Sequence, residues 1–241
     1  MIGLGTREAA GAAAIRRLAG LAPLDPEAMG ILAAAARRGR VIRNRQELLV
    51  EGRPIGEALL VLDGWAARIR YLADGRRQIM NFVLPGDLIG MCDQDPPIAS
   101  STVVALTPMT ACPAPARGVS RALDAAYASS RAMEESCLFA QITRLGRLSA
   151  YERIVDLFLE LLERLELAGI AQNGRFAMPL TQEIVADALG LTSVHVNRML
   201  QQARRENDLI WQGRTLTLCD PGALRQSVGR RLARVARPQA A

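Results

Sequence analysis

Between residues 41 and 116 the chain carries short runs of Val, Ile, Leu and aromatic residues cut by Gly52, Gly64, Gly75 and Gly86, a turn signal every 11 or 12 residues. That spacing fits strands of a handful of residues and leaves no room for ordinary helices, so an antiparallel sandwich or barrel is expected. Asp63-Gly64 and Asp74-Gly75 are dipeptides that tolerate the positive φ of a two-residue hairpin turn. Residues 58–62, 65–72 and 78–84 therefore read as a three-strand meander. A helix through Ala33 to Arg38, stopped by Gly39, precedes it.

From Ala122 the period changes. Met133, Cys137 or Leu138, Ile142, Leu145 and Leu148 recur every three to five residues, the stripe of a long helix. Such a helix between two domains has little of its own chain to bury it, and a second copy is the expected partner across these six residues. Packing on its own domain is the alternative. Ile154, Leu157, Phe158, Leu161, Leu162 and Leu165 follow as an amphipathic helix closed near Gly169.

The third segment carries the recognisable chemistry. Pro179-Leu180-Thr181 leads into a short helix from Gln182 to Leu189, Gly190 makes a turn, and Thr192 is placed to cap a longer helix from Ser193 to about Glu206. On a helical wheel Val196, Met199, Leu200 and Ala203 share one side. Val194, Arg198, Gln201 and Arg205 share the other, with Gln202 beside them and no acid between Val194 and Arg205. Arg and Gln at these intervals match guanine O6/N7 and adenine N6/N7 in a major groove. Residues 209–211 and 216–218 around Gly213 read as a hairpin wing, with Arg214 placed for a phosphate.

Charge points the same way. Every base in the chain is arginine and the formal net charge is +6. Residues 121–166 hold 6 Arg against 8 acids, whereas residues 167–241 hold 10 Arg against 5 acids. A C-terminal end this basic is expected to meet a polyanion; solvated surface is the alternative. Leu224, Val228, Leu232 and Val235 among Arg225, Arg230, Arg231, Arg234 and Arg237 read either as a basic amphipathic helix on phosphates or a membrane surface, or as a frayed tail.

Other classes fall away. His195 is the sole histidine, and Cys92, Cys112, Cys137 and Cys219 stand far apart, so no metal site, cofactor or catalytic constellation is expected and the chain is not read as an enzyme. Cys92, beside Asp93 and Asp95, is the one thiol with a reactive reading. No apolar run approaches a membrane span, and Arg7, Glu8, Arg16 and Arg17 interrupt the N-terminal alanines, so a cytoplasmic location is expected.

Two motifs, in order, carry a resemblance. Asp74-Gly75-Arg76-Arg77-Gln78-Ile79 with Phe82-x-Leu84-Pro85-Gly86-Asp87-Leu88-Ile89-Gly90 resembles the hairpin and glycine-acid turn of the Crp/Fnr family of bacterial transcription regulators. Leu180-Thr181-Gln182-Glu183-Ile184, then Leu189-Gly190-Leu191-Thr192 and Val196-x-Arg198-x-Leu200 resemble its helix-turn-helix. The resemblance implies an α+β protein with an N-terminal antiparallel β-roll of the cyclic-nucleotide-binding type, a long dimerisation helix and a C-terminal winged helix-turn-helix. The expected division is 21–120 for effector sensing, 121–149 for dimerisation, 150–220 for DNA binding and 221–241 as a basic tail.

The resemblance places Thr181 and Gln182 near phosphates, and Ser193, Val194, Asn197 and Arg198 at base-facing or groove-edge positions beside Thr192 and His195. Double-stranded DNA and a second copy are the implied partners, with RNA polymerase added if the protein activates. Gly86, Asp87, Leu88, Ser100 and Ser101 would line an effector pocket for an unknown small molecule. Residues 95–102 lack the Arg-Ser pair that holds a cyclic phosphate in family members, so cyclic AMP is not expected to bind. No cysteine precedes Cys92, which removes the N-terminal cluster of iron-sulfur members. An interaction module that binds a protein instead of DNA is the alternative; it would call for an acidic or apolar face between Val194 and Arg205.

Overall fold

A computed structural model describes residues 4–92 and 95–232. The expectations for Asp93, Arg234, Val235 and Arg237 lie outside these residues. The chain forms two compact units: one takes the chain up to Ile69 together with Phe82–Glu135, and the other takes Arg70–Asn81 and the chain from Ser136.

The first unit begins with α1 (Leu4–Leu21) and α2 (Pro26–Ala36), which Asp25 caps by accepting from the Ala28 N–H at 2.7 Å. Eight strands follow: β1 (Arg40–Ile42), β2 (Glu47–Leu49), β3 (Leu59–Asp63), β4 (Ala66–Tyr71), β5 (Arg77–Val83), β6 (Leu88–Ile89), β7 (Thr102–Ala105) and β8 (Met109–Pro113). They build two four-stranded sheets, β1-β8-β3-β6 and β2-β7-β4-β5. Because side chains alternate along a strand, β3 serves two cores. Leu59 and Val61 point to an interior filled by Ile42, Ala66, Val83, Ile89, Val103, Ala105, Met109 and Ala111. Leu60 and Leu62 pack outward on Ala14, Leu18, Leu32, Leu123 and Tyr127 of the helices.

The three-strand meander expected from the sequence does not form. β3 pairs with β8 and β6, while β4 lies in the other sheet beside β7 and β5. Asp63-Gly64 is the corner between sheets, where Gly64 adopts φ 85° and an added Cβ would lie 2.4 Å from the Met109 Cβ. Asp74-Gly75 does close a β4–β5 hairpin, through a three-residue loop. The Leu72 N–H donates to the Arg76 carbonyl at 2.8 Å, the Gly75 N–H returns to the Leu72 carbonyl at 3.0 Å, and Gly75 takes φ 85°.

The long helix α3 runs Arg121–Arg147. Ser149 then opens α4 (Ala150–Leu167) with a capping box, accepting from the Glu152 N–H while the Glu152 carboxylate accepts from the Ser149 N–H at 2.7 Å. That bond, with burial opposing it weakly, holds the Glu152 carboxyl below its ordinary pKa.

The second unit continues with β9 (Arg175–Ala177), α5 (Gln182–Leu189), α6 (Ser193–Arg205), β10 (Leu209–Gln212), β11 (Thr215–Leu218) and α7 (Pro221–Ser227). The wing gains a strand that the sequence did not suggest: β9 pairs with β11 in a three-stranded sheet ordered β10-β11-β9. Phe158 and Trp211 meet edge to face, centroids 5.9 Å apart, and fasten β10 to α4.

Charge is buried inside this unit. Arg144, 1% exposed, donates to the Asp156 carboxylate at 2.7–2.8 Å, to Glu160 at 2.7 Å and to the Gln141 side-chain oxygen. Arg164 reaches Glu160 at 3.6 Å and Asn81 at 3.2 Å. Of the two readings of the tail, a long amphipathic helix does not form among the described residues, since α7 stops at Ser227 and Arg225 and Arg230 turn inward. Arg225 pairs with Glu163 at 3.0 Å, and Arg230 with Glu163 and Asp156 at 2.9 Å. Burial opposes the Arg230 charge, but those carboxylates outweigh it and hold its pKa above the ordinary value. Among the described residues no helix is long and apolar enough to cross a membrane, and no cluster of His, Cys, Asp and Glu could hold a metal.

Candidate nucleic-acid interface

Local rules fix the two helices. Thr181 caps α5 by accepting from the Ile184 N–H at 3.3 Å, and Thr192 caps α6 by accepting from the His195 N–H at 3.2 Å. Between them Gly190 sits in the left-handed region, φ 63° and ψ 37°, ending α5 as a residue without Cβ can. Val185, Ala188 and Leu189 of α5 and Val196, Leu200 and Ala203 of α6 are buried.

Opposite that buried side lies a continuous exposed surface of Ser193, Val194, Asn197, Arg198, Gln201 and Arg205, with Arg204 at its edge. Val194 is 78% exposed, the highest value among the large apolar side chains of the described residues. Arg198, Gln201 and Arg205 have no side-chain partner among the described residues, so their donors are free for another molecule. Gln202 instead donates to Glu206 at 2.9 Å. Thr181 and Thr192 are exposed, Gln182 and His195 half-buried, and the Asn197 amide donates to the Gln182 side-chain oxygen at 3.1 Å, bridging the two helices. Arg214 projects from the exposed two-residue turn Gly213-Arg214 between β10 and β11, whose Gly213 takes φ 59°.

The end of α5 is held by side chains that the sequence did not single out. The Ala188 carbonyl accepts from Gln141 at 2.6 Å and from Gln78 at 3.1 Å; the Leu189 carbonyl accepts from Arg153 at 3.1 Å. Arg77 pairs with Asp187 at 2.7 Å. These four side chains satisfy carbonyls and an acid that a helix end would otherwise leave to water, one residue before the turn into α6. Arg77 and Gln78 lie in the hairpin motif that follows Asp74-Gly75, but nothing in their spacing names a partner 110 residues away.

The remaining candidates separate into distinct places. On α3, Leu138, Phe139 and Ile142 are exposed at 36%, 60% and 68%. Met133, Leu145 and Leu148 are half-buried, while Cys137 is 5% exposed on the inward side. Phe139 extends the outward stripe and was absent from the sequence reading. At the glycine-acid turn, Gly86 takes φ 89° and Asp87 accepts from the Leu84 N–H at 2.7 Å. Arg17 of α1, 2% exposed, pairs with Asp87 at 2.5 Å and donates to the Gly86 carbonyl at 2.8 Å and to Ser130 at 3.1 Å. Leu88 is half-buried, Ser100 exposed and Ser101 buried. Arg68, on the same face of β4 as the interior residue Ala66, pairs with Glu134.

Comparison with known proteins agrees with this geometry. A cyclic nucleotide-binding domain profile matches residues 40–126 and a Crp-like helix-turn-helix domain profile matches residues 152–227, about two thirds of the chain between them. The chain is 28% identical over 208 residues to the transcriptional activatory protein AadR of Rhodopseudomonas palustris, covering 83% of this chain and 84% of AadR. It is 28% identical over 186 residues to the nitrogen fixation regulation protein FixK of Rhizobium meliloti, covering 75% and 82%. Among solved structures, FixK2 of Bradyrhizobium japonicum matches with a TM-score of 0.68 at 27% identity, over 81% of this chain and 98% of FixK2. A CRP-family transcriptional regulator of Thermus thermophilus shares the fold, with a TM-score of 0.63 at 22% identity over 80% of this chain and 98% of its own. A sensory-type barrel, a long helix and a winged helix-turn-helix with an acid-free outer face, found together in this order, place the chain in the Crp/Fnr family of DNA-binding transcription regulators.

Proposed function

We propose that the protein binds a two-fold symmetric DNA site as a homodimer in the cytoplasm. Residues 150–220 read the DNA, 121–149 pair the two copies, 21–120 form the sensing barrel and 221–241 form a basic tail. The observation that carries this reading is the outer face of α6, where Arg198, Gln201 and Arg205 stand exposed and, among the described residues, unpartnered, with no acid among them. Pairing through α3 is supported by the exposed Leu138, Phe139 and Ile142, a stripe that a second copy of the same helix can cover.

Regulation here does not use cyclic AMP or an iron-sulfur cluster. The residues present do not fit a cyclic nucleotide: residues 95–102 bring no cation to a phosphate, and Asp87 of the glycine-acid turn is already engaged by Arg17. Any effector is a different small molecule.

Selection of the purified protein on random duplex DNA tests the central claim. A symmetric motif with half-sites about one helical turn apart is expected. Uniform binding that fades with salt on every sequence would refute it. Arg198→Ala should relax discrimination at one base of each half-site by about 1 to 3 kcal/mol, leaving non-specific affinity nearly unchanged. Light scattering on Leu138→Glu/Ile142→Glu should show monomers, and titration calorimetry with cyclic AMP should show no saturable heat.

A further inference from the structure

We infer that Val194 reads the 5-methyl group of a thymine in each half-site, an inference that rests on the DNA-binding reading above. Every other exposed side chain on the outer face of α6 between Ser193 and Arg205 is polar or charged; Val194 alone is apolar, and it is 78% exposed. It is the second residue of α6, and in a helix-turn-helix the N-terminal residues of the second helix approach the base edges. A valine offers no hydrogen bond. The major-groove edge presents a single apolar group, the thymine methyl, so that group is what this side chain can recognise there.

The surroundings favour a defined contact. Valine is stiff at χ1 in a helix, so the side chain is already ordered before it meets DNA. Asn197, one turn away, is held by its hydrogen bond to Gln182 and braces the same surface. Arg198, four residues on, lies above Val194 on the same face with its guanidinium free. The pair is therefore set to read neighbouring bases: a thymine methyl by Val194 and a guanine by Arg198.

Uracil differs from thymine only by that methyl, which makes it the probe. In the operator recovered by selection, each thymine is replaced by uracil in turn, and affinity is read by fluorescence anisotropy with the full chain. One symmetric position should weaken binding about fourfold per half-site, and about 15-fold when both half-sites are changed, the effect of one buried methyl group. Val194→Ala, an exposed change that leaves the core intact and shortens the apolar reach, should bind more weakly and be less sensitive at that position. Specific binding with no uracil-sensitive position, or unchanged sensitivity in Val194→Ala, would overturn the inference while leaving DNA recognition standing. Recovery of no motif would overturn both.

Discussion

The barrel interior and the α3–α4 junction are both buried, but they are held by opposite kinds of force. Inside the barrel, Ile42, Leu59, Val61, Val83, Ile89, Val103 and Met109 make non-directional contacts, each worth about 1.5 to 3 kcal/mol when fully buried. At the junction, Arg144 lies between Asp156 and Glu160, and any shift that separates them leaves a charge in a dry interior. An apolar core fixes volume and tolerates repacking; an ionic core fixes angle. The second kind sits in the unit where orientation matters, since Gln141, the neighbour that Arg144 grips, also holds the end of α5.

The largest expected effect tests this directly. Arg144→Met, which leaves Asp156 to Arg230 and Glu160 to Arg164 alone, should cost about 3 to 5 kcal/mol in urea unfolding of the second unit. Replacing Asp156 and Glu160 by leucine as well should not recover the loss, because buried Arg230 then loses Asp156 and buried Arg164 loses Glu160; recovery would show that the network contributes orientation and no net stability. Ile89→Leu in the barrel, which keeps the side-chain volume, is the counterpart. A conservative apolar swap should cost less than about 1.5 kcal/mol, and a larger loss would mean the barrel is as intolerant as the junction.

Smaller again is the capping box. Ser149→Ala should destabilise by about 1 kcal/mol. Because the folded carboxyl of Glu152 lies below its ordinary pKa, its contribution is complete above that ordinary value and is lost as pH falls through the folded one. Acid titration of wild type against Glu152→Gln should therefore converge at low pH; parallel curves would refute the assignment. Least disruptive is a comparison of thiols. Burial pushes Cys112 up to about 11, so at neutral pH exposed Cys219 should alkylate first and Cys112 last, read by mass spectrometry.

The same contrast explains what the sequence could reveal. α5 and α6 were legible to within a residue because Thr181, Gly190 and Thr192 act on backbone groups only a few positions away. The positions of β3, β4, β5, β10 and β11 were legible for the same reason, from alternation and turn glycines. What required the folded chain was pairing at long range: the chain leaving β3 for the other sheet at Gly64, and β9 joining the wing from before α5 and α6. The site divided in the same manner. Periodicity exposed the outer face of α6, yet Arg77, Gln78 and Gln141 read only as polar residues until they met the end of α5. Along α3, spacing alone merged two faces, because Cys137 and Leu138 are adjacent in sequence and point to opposite environments.

The inward turn of Arg225 and Arg230 has a thermodynamic meaning for DNA. From residue 167 onward the chain holds ten arginines, but these two already have carboxylate counterions in Glu163 and Asp156 and so do not neutralise phosphates or release the cations condensed on DNA. Each arginine that truly neutralises a phosphate steepens the logarithmic salt dependence of binding by about 0.9. The measured slope should thus be shallower, by nearly two per chain, than the basic end of the sequence suggests. More of the affinity is left to contacts that distinguish one base pair from another.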